Sequence, residues 1–139
     1  MPRSGLNSLI TATLLLSASW TYAAEVKVDV LQSKLDHPWS LAFLPDNKGM
    51  LITLRDGQLR RWQPGEGLGD PIVGVPKVWA HGQGGLLDVV LAPDFEQSRR
   101  VWLSFAEANS DDKAGTAVGY GTLSSSTPEV CRCTTEPWL

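Results

Sequence analysis

The chain has 139 residues, 12 of them basic and 15 acidic, for a net charge of −3. That length holds one ordinary domain. The charge balance, with Arg60-Arg61 and Arg99-Arg100 as the longest basic runs, excludes an electrostatic footprint for nucleic acid or anionic lipid.

The first two dozen residues read as a secretory leader. Arg3 supplies a positive n-region, Leu9 to Leu16 a short apolar h-region, and small residues lead to Ala23 and Ala24. Residues 1–23 are expected to be a signal peptide. Cleavage after Ala23 leaves Thr21 at the −3 position, where cleavage after Ala24 would place bulky Tyr22. The apolar stretch falls short of the roughly 20 residues that a membrane span needs. No span is expected, and the expected location is exported, in the periplasm.

From residue 24 the pattern is all-β. Val26, Val28 and Val30 alternate with Lys27 and Asp29, the period of a half-buried strand. His37-Pro38-Trp39 leads into an apolar run, Ser40 to Leu44, stopped by Pro45-Asp46-Asn47 and Gly49. Met50 to Leu54 is the next run, Asp56-Gly57 a tight hairpin turn, and Gln58 to Trp62 the returning strand. Pro64, Gly65, Gly67, Gly69 and Pro71 predict a loop, followed by Ile72 to Trp79. Gly82-Gln83-Gly84-Gly85 then precedes a strand over Leu86 to Ala92 that ends at Pro93-Asp94. Val101 to Phe105 and Thr116 to Gly121 are the last strands, with Asn109 to Lys113 as a polar hairpin loop. No segment after the leader holds a helical apolar period over three turns.

An internal repeat runs through this pattern. Leu41 to Asp46 and Val89 to Asp94 are both apolar strands stopped by Pro-Asp, 48 residues apart, and each is followed by a further apolar strand. A period of about 40 to 50 residues with four strands per unit is the signature of propeller blades. A β-sandwich of hairpins is the alternative.

Several chemistries are excluded by spacing. A dinucleotide loop needs a third glycine where Leu87 stands and a helix after it, and a P-loop needs a Gly-Lys-Ser/Thr ending. Asn109 to Lys113 lacks the glycine and distal Glu of a calcium loop. Cys131 and Cys133 close almost no loop and have no third metal ligand nearby in sequence. The six tryptophans are expected in blade cores rather than on a stacking platform. Asp88, inside an apolar strand, needs a partner, with Arg55 or a backbone donor as the expected one. His81 reads as a loop residue and His37 as a turn residue packed on an indole. What remains is a glycine-lined strand entrance carrying one amide, Gln83, whose donors and acceptor suit a sugar hydroxyl.

Four stretches together resemble the soluble, pyrroloquinoline quinone (PQQ) dependent aldose sugar dehydrogenases of the glucose/sorbosone dehydrogenase family. They are Leu35 to Asp46, Met50 to Arg55, Gly82 to Phe95 and Thr116 to Gly121. The resemblance implies an N-terminal portion, about two blades over residues 24–121, of a six-bladed propeller that holds PQQ over its channel beside calcium. It implies oxidation of an aldose at C1, the hydride passing to PQQ and the proton to a histidine, with an electron acceptor reoxidising the quinone. Gln83 matches the family residue that hydrogen-bonds the sugar. The histidine of the family's Asn-His-x-Gly-Gly-Arg motif and the residues that bind PQQ and calcium have no counterpart in these 139 residues. No catalytic or metal residue is therefore expected, and neither turnover nor cofactor binding by this chain.

Residues 122–139 are expected to be a divergent, disordered tail, produced by a frameshift or early stop near Gly121. The competing reading is a small exported β-module that binds a partner by strand addition.

Overall fold

A computed structural model describes residues 25–108, 113–124 and 134–135. The leader expected over residues 1–23, the tip of the hairpin loop at 109–112 and the Cys131/Cys133 pair lie outside the described residues.

Two antiparallel sheets are built in chain order. The first runs β1 (Pro38–Phe43), β2 (Met50–Leu54), β3 (Leu59–Gln63), β4 (Gly67–Pro71). The second runs β5 (Leu86–Leu91), β6 (Arg100–Ala108), β7 (Ala114–Thr122), β8 (Thr134–Thr135). Every strand lies beside its chain neighbour, so the unit is a four-stranded meander made twice. A sandwich built from Greek keys would move a strand out of that order.

The Pro-Asp repeat explains how each meander starts. Proline cannot continue the ladder, so β1 turns through a short 3₁₀ segment, Pro45–Asn47, and β5 through one helical turn, α1 (Phe95–Ser98). The turns close alike, Leu44 N–H donating to Gly49 O at 2.9 Å and Ala92 N–H to Arg100 O at 3.0 Å. The Asp56-Gly57 turn is also where the sequence placed it, with Leu54 N–H on Gln58 O and Gly57 N–H on Leu54 O.

The sheets share one core. Leu51 and Leu59 of the first pack with Leu86, Leu103 and Phe105 of the second, and none of the five is more than 1% exposed. The even positions of β2, Met50, Ile52 and Leu54, face the other way, against Leu35, Trp62 and Leu68. All five residues of β2 are consequently buried, which explains its uninterrupted apolar run.

Three expectations are corrected. Val26, Val28 and Val30 form no strand; they are extended and about four-fifths exposed, because no described edge pairs with them. The expected loop after Pro64 contains β4, held by Trp62↔Leu68 and Gln63↔Gly67 pairing and by Arg60, whose Nε and Nη2 donate to Gly69 O at 2.9 and 2.6 Å. The described tryptophans stay out of the shared core: Trp39 is 47% and Trp102 38% exposed, Trp79 is half-buried, and half-buried Trp62 packs against the Met50, Ile52 and Leu54 cluster instead. Within the expected tail, Leu123 is buried in the shared core and Thr134–Thr135 pair with Tyr120 and Gly119; residues 125–133 and 136–139 lie outside the described residues.

Candidate functional site: the glycine-lined entrance to β5

Gln83 is exposed, on a loop clamped by backbone hydrogen bonds on both sides. Gly84 N–H donates to His81 O at 2.8 Å, and Leu86 N–H to Arg55 O at 3.1 Å. Ala106 N–H donates to Gly85 O and Trp79 N–H to Ala106 O, each at 2.8 Å. The approach is close enough to require glycine. A Cβ at Gly84 would meet Trp79 O at 2.6 Å, and one at Gly85 would meet Arg55 O at 2.2 Å. Among the described residues the Gln83 side chain makes no hydrogen bond, so its amide faces solvent with its full capacity.

Arg55 ties this loop to the first sheet. Its N–H donates to His37 O at 3.1 Å, its carbonyl receives Leu86 N–H, and its Nη1 donates to Gly82 O at 3.3 Å. The sequence offers it, or a backbone donor, as the partner for Asp88; the structure gives Arg55 to the loop and supplies the backbone donor, Val89 N–H. Asp88 is exposed rather than buried, and its Oδ1 accepts from Ser40 Oγ and, at 2.9 Å, from Val89 N–H. The Ser40–Asp88 contact joins β1 directly to β5.

Thr53, fully buried, makes a second join that sequence reasoning missed. Its hydroxyl accepts from Ser40 N–H at 3.0 Å and donates to Leu87 O at 2.6 Å, leaving nothing for Ser40 O at 3.3 Å because a hydroxyl has one hydrogen. A threonine interrupting the run of β2 was the available signal. His37 is oriented by Asp36, Nδ1 to Oδ1 at 2.5 Å, rather than packed on an indole. His81 is the residue that packs on one, its ring centroid 4.7 Å from that of Trp79.

The entrance therefore offers an open amide, an imidazole beside an indole, and carboxylates at Asp36 and Asp88. That set suits hydrogen bonding and stacking against a neutral polyhydroxy ligand. Among the described residues no group of three His, Cys, Asp or Glu is placed to hold a metal ion.

The glucose/sorbosone dehydrogenase profile matches residues 35–135. The chain belongs to the glucose/sorbosone dehydrogenase family. It is 70% identical over 116 residues to aldose sugar dehydrogenase YliI of Escherichia coli K12, a match covering 84% of this chain and 31% of that protein. The crystal structure of the soluble E. coli aldose sugar dehydrogenase in its apo form superposes with a TM-score of 0.74, over 77% of this chain and 31% of that one, at 70% identity. A glucose dehydrogenase structure at 57% identity gives 0.77, over 79% and 34%. The PQQ-bound aldose sugar dehydrogenase of Streptomyces coelicolor, at 22% identity and a TM-score of 0.62, shares the fold, over 78% of this chain and 32% of that one. The chain thus spans about a third of the length of these relatives.

PQQ is a planar tricarboxylate. The cation tied into the Gln83 loop is Arg55, already engaged with Gly82 O, while the carboxylates of Asp36 and Asp88 bond outside the loop, to His37 and to Ser40 and Val89. These residues do not fit the cofactor as a whole.

Proposed function

We propose that this family member contributes the sugar-contacting entrance of a PQQ-dependent aldose dehydrogenase, with Gln83 as the residue that hydrogen-bonds the aldose. The observation that carries the reading is the exposed, unengaged amide of Gln83 on a loop whose backbone is clamped at Gly84, Gly85 and Leu86. Preorganisation of this kind lowers the ordering cost of binding. The E. coli relative named as an aldose sugar dehydrogenase supports the substrate class.

For the whole protein the proposed reaction is oxidation of an aldose at C1 within a six-bladed ring, with PQQ as hydride acceptor and calcium beside it. The two meanders described here correspond to two of those blades. The contribution of these residues is to bind and orient sugar; the Asn-His-x-Gly-Gly-Arg motif whose histidine takes the C1 hydroxyl proton has no counterpart in the 139-residue sequence. A base of that kind contributes about 10²–10⁴-fold, so a polypeptide of these residues alone is inactive. Export to the periplasm is part of the same proposal, resting on Arg3, the Leu9 to Leu16 run and Ala23.

Saturation-transfer NMR with D-glucose tests the sugar contact. Transfer to the glucose ring protons is expected from the wild-type chain and not from Gln83→Ala, whose strand content stays unchanged. Equal transfer from both would remove Gln83 from the role.

A further inference from the structure

A cleft of about 320 Å³ lies at the opposite end of the inner strands from Gln83. The starts of β1 and β5 meet at Arg55, through His37 O and Leu86 N–H. Their far ends run into the two Pro-Asp turns, and these turns wall the cleft. Leu44, Pro45, Asp46 and Lys48 come from the first turn, Glu96 and Arg99 from the second, and Arg61 from β3. One length of β5, about 20 Å, separates the cleft from the Gln83 loop.

The charges in the cleft are not balanced. Lys48 Nζ lies 3.0 Å from Asp46 Oδ2, which leaves Arg61 and Arg99 against Glu96. Arg61 Nη2 reaches Lys48 O at 3.4 Å, and the Arg99 guanidinium lies over the Phe95 ring, 4.5 Å from its centroid. The Nε–H of each arginine is shielded from solvent and has no acceptor. Three buried side-chain polar atoms lack a partner among the described residues, the third being Trp62 Nε1, and two of the three belong to arginines that line this one cleft. Buried N–H groups are ordinarily paired, and a concentration of exceptions calls for a missing acceptor.

We propose that this cleft binds a small oxyanion of the phosphate class, held by Arg61 and Arg99. A guanidinium presents Nε–H and Nη–H as a planar fork that matches two oxygens of one anion. Binding in this way requires each side chain to turn its orphaned Nε–H toward the cleft, and a tetrahedral anion has oxygens enough for both forks. Chloride has no separated acceptors. Glu96, on the same wall, opposes the bound charge and sets the affinity below what two arginines alone would give. The ligand is either free phosphate or the phosphate end of a larger molecule.

The test is the ³¹P line width of inorganic phosphate and, separately, of phenyl phosphate, titrated with the 139-residue chain at constant ionic strength in chloride. Saturable broadening is expected, with affinity reduced about tenfold or more in Arg61→Met and Arg99→Met, as for loss of a charge-assisted hydrogen bond. Glu96→Gln should raise it several-fold. Broadening of phosphate alone assigns the free ion; broadening of both assigns a phosphate monoester. Absence of saturable broadening with either probe overturns the proposal, as does unchanged affinity in both arginine variants. If those variants lose strand content, Glu96→Gln, which leaves no cavity, decides: unchanged affinity there overturns it too.

Discussion

At Gly85 a side chain has nowhere to go. The φ of +144° is one that other residues rarely adopt, and a Cβ would stand 2.2 Å from Arg55 O. Gly115, with open space around its Cβ position, is the natural control. Gly85→Ala is expected to lower stability by about 1–3 kcal/mol through backbone strain, read as a shift in urea midpoint, whereas Gly115→Ala shifts it little. Equal shifts would mean that the loop carrying Gln83 is not held by close approach. The exposed loop position of Gln83 was legible from the glycines around it. The clamp was not, because it is made by backbone groups of Arg55, Trp79 and Ala106, which come from other parts of the chain. Asp88 shows the same limit: its place in an apolar run suggested burial, but one face of β5 is open and the carboxylate lies there.

Strands were legible where alternation or an apolar run met a turn signal, as at β1, β2, β3, β5, β6 and β7. They were misjudged where pairing rather than composition decides. Glycine and proline argue against β4 by propensity, yet it forms because β3 and Arg60 supply its partners. The valines from Val26 to Val30 have strand propensity and no edge to join. Tryptophan was misjudged for another reason: the space between the sheets is filled by leucine, valine and phenylalanine. Phe105, fully buried, and Trp102, 38% exposed, lie on neighbouring parts of β6 and separate the two readings. Phe105→Ala should cost about 3–5 kcal/mol and Trp102→Ala much less, in urea denaturation followed by far-UV circular dichroism. A larger loss at Trp102 would put the core where the sequence, rather than the structure, suggested.

Across the molecule, the two meanders share a single core but leave apolar surface at the inner edge. Trp39, Leu41 and Phe43 of β1 are 47%, 50% and 71% exposed, on one side of a strand whose other edge has no paired strand among the described residues. Free edges and apolar patches of this kind favour association. Sedimentation velocity should show concentration-dependent association of these 139 residues, reduced in Phe43→Lys; association unaffected by that change would place the contact elsewhere. The proposed division, sugar contact here and the chemistry completed elsewhere in the ring, is tested most directly by PQQ-dependent dye reduction by the purified 139-residue chain, with glucose and calcium supplied. No reduction above the protein-free rate is predicted, and glucose-dependent turnover would contradict it.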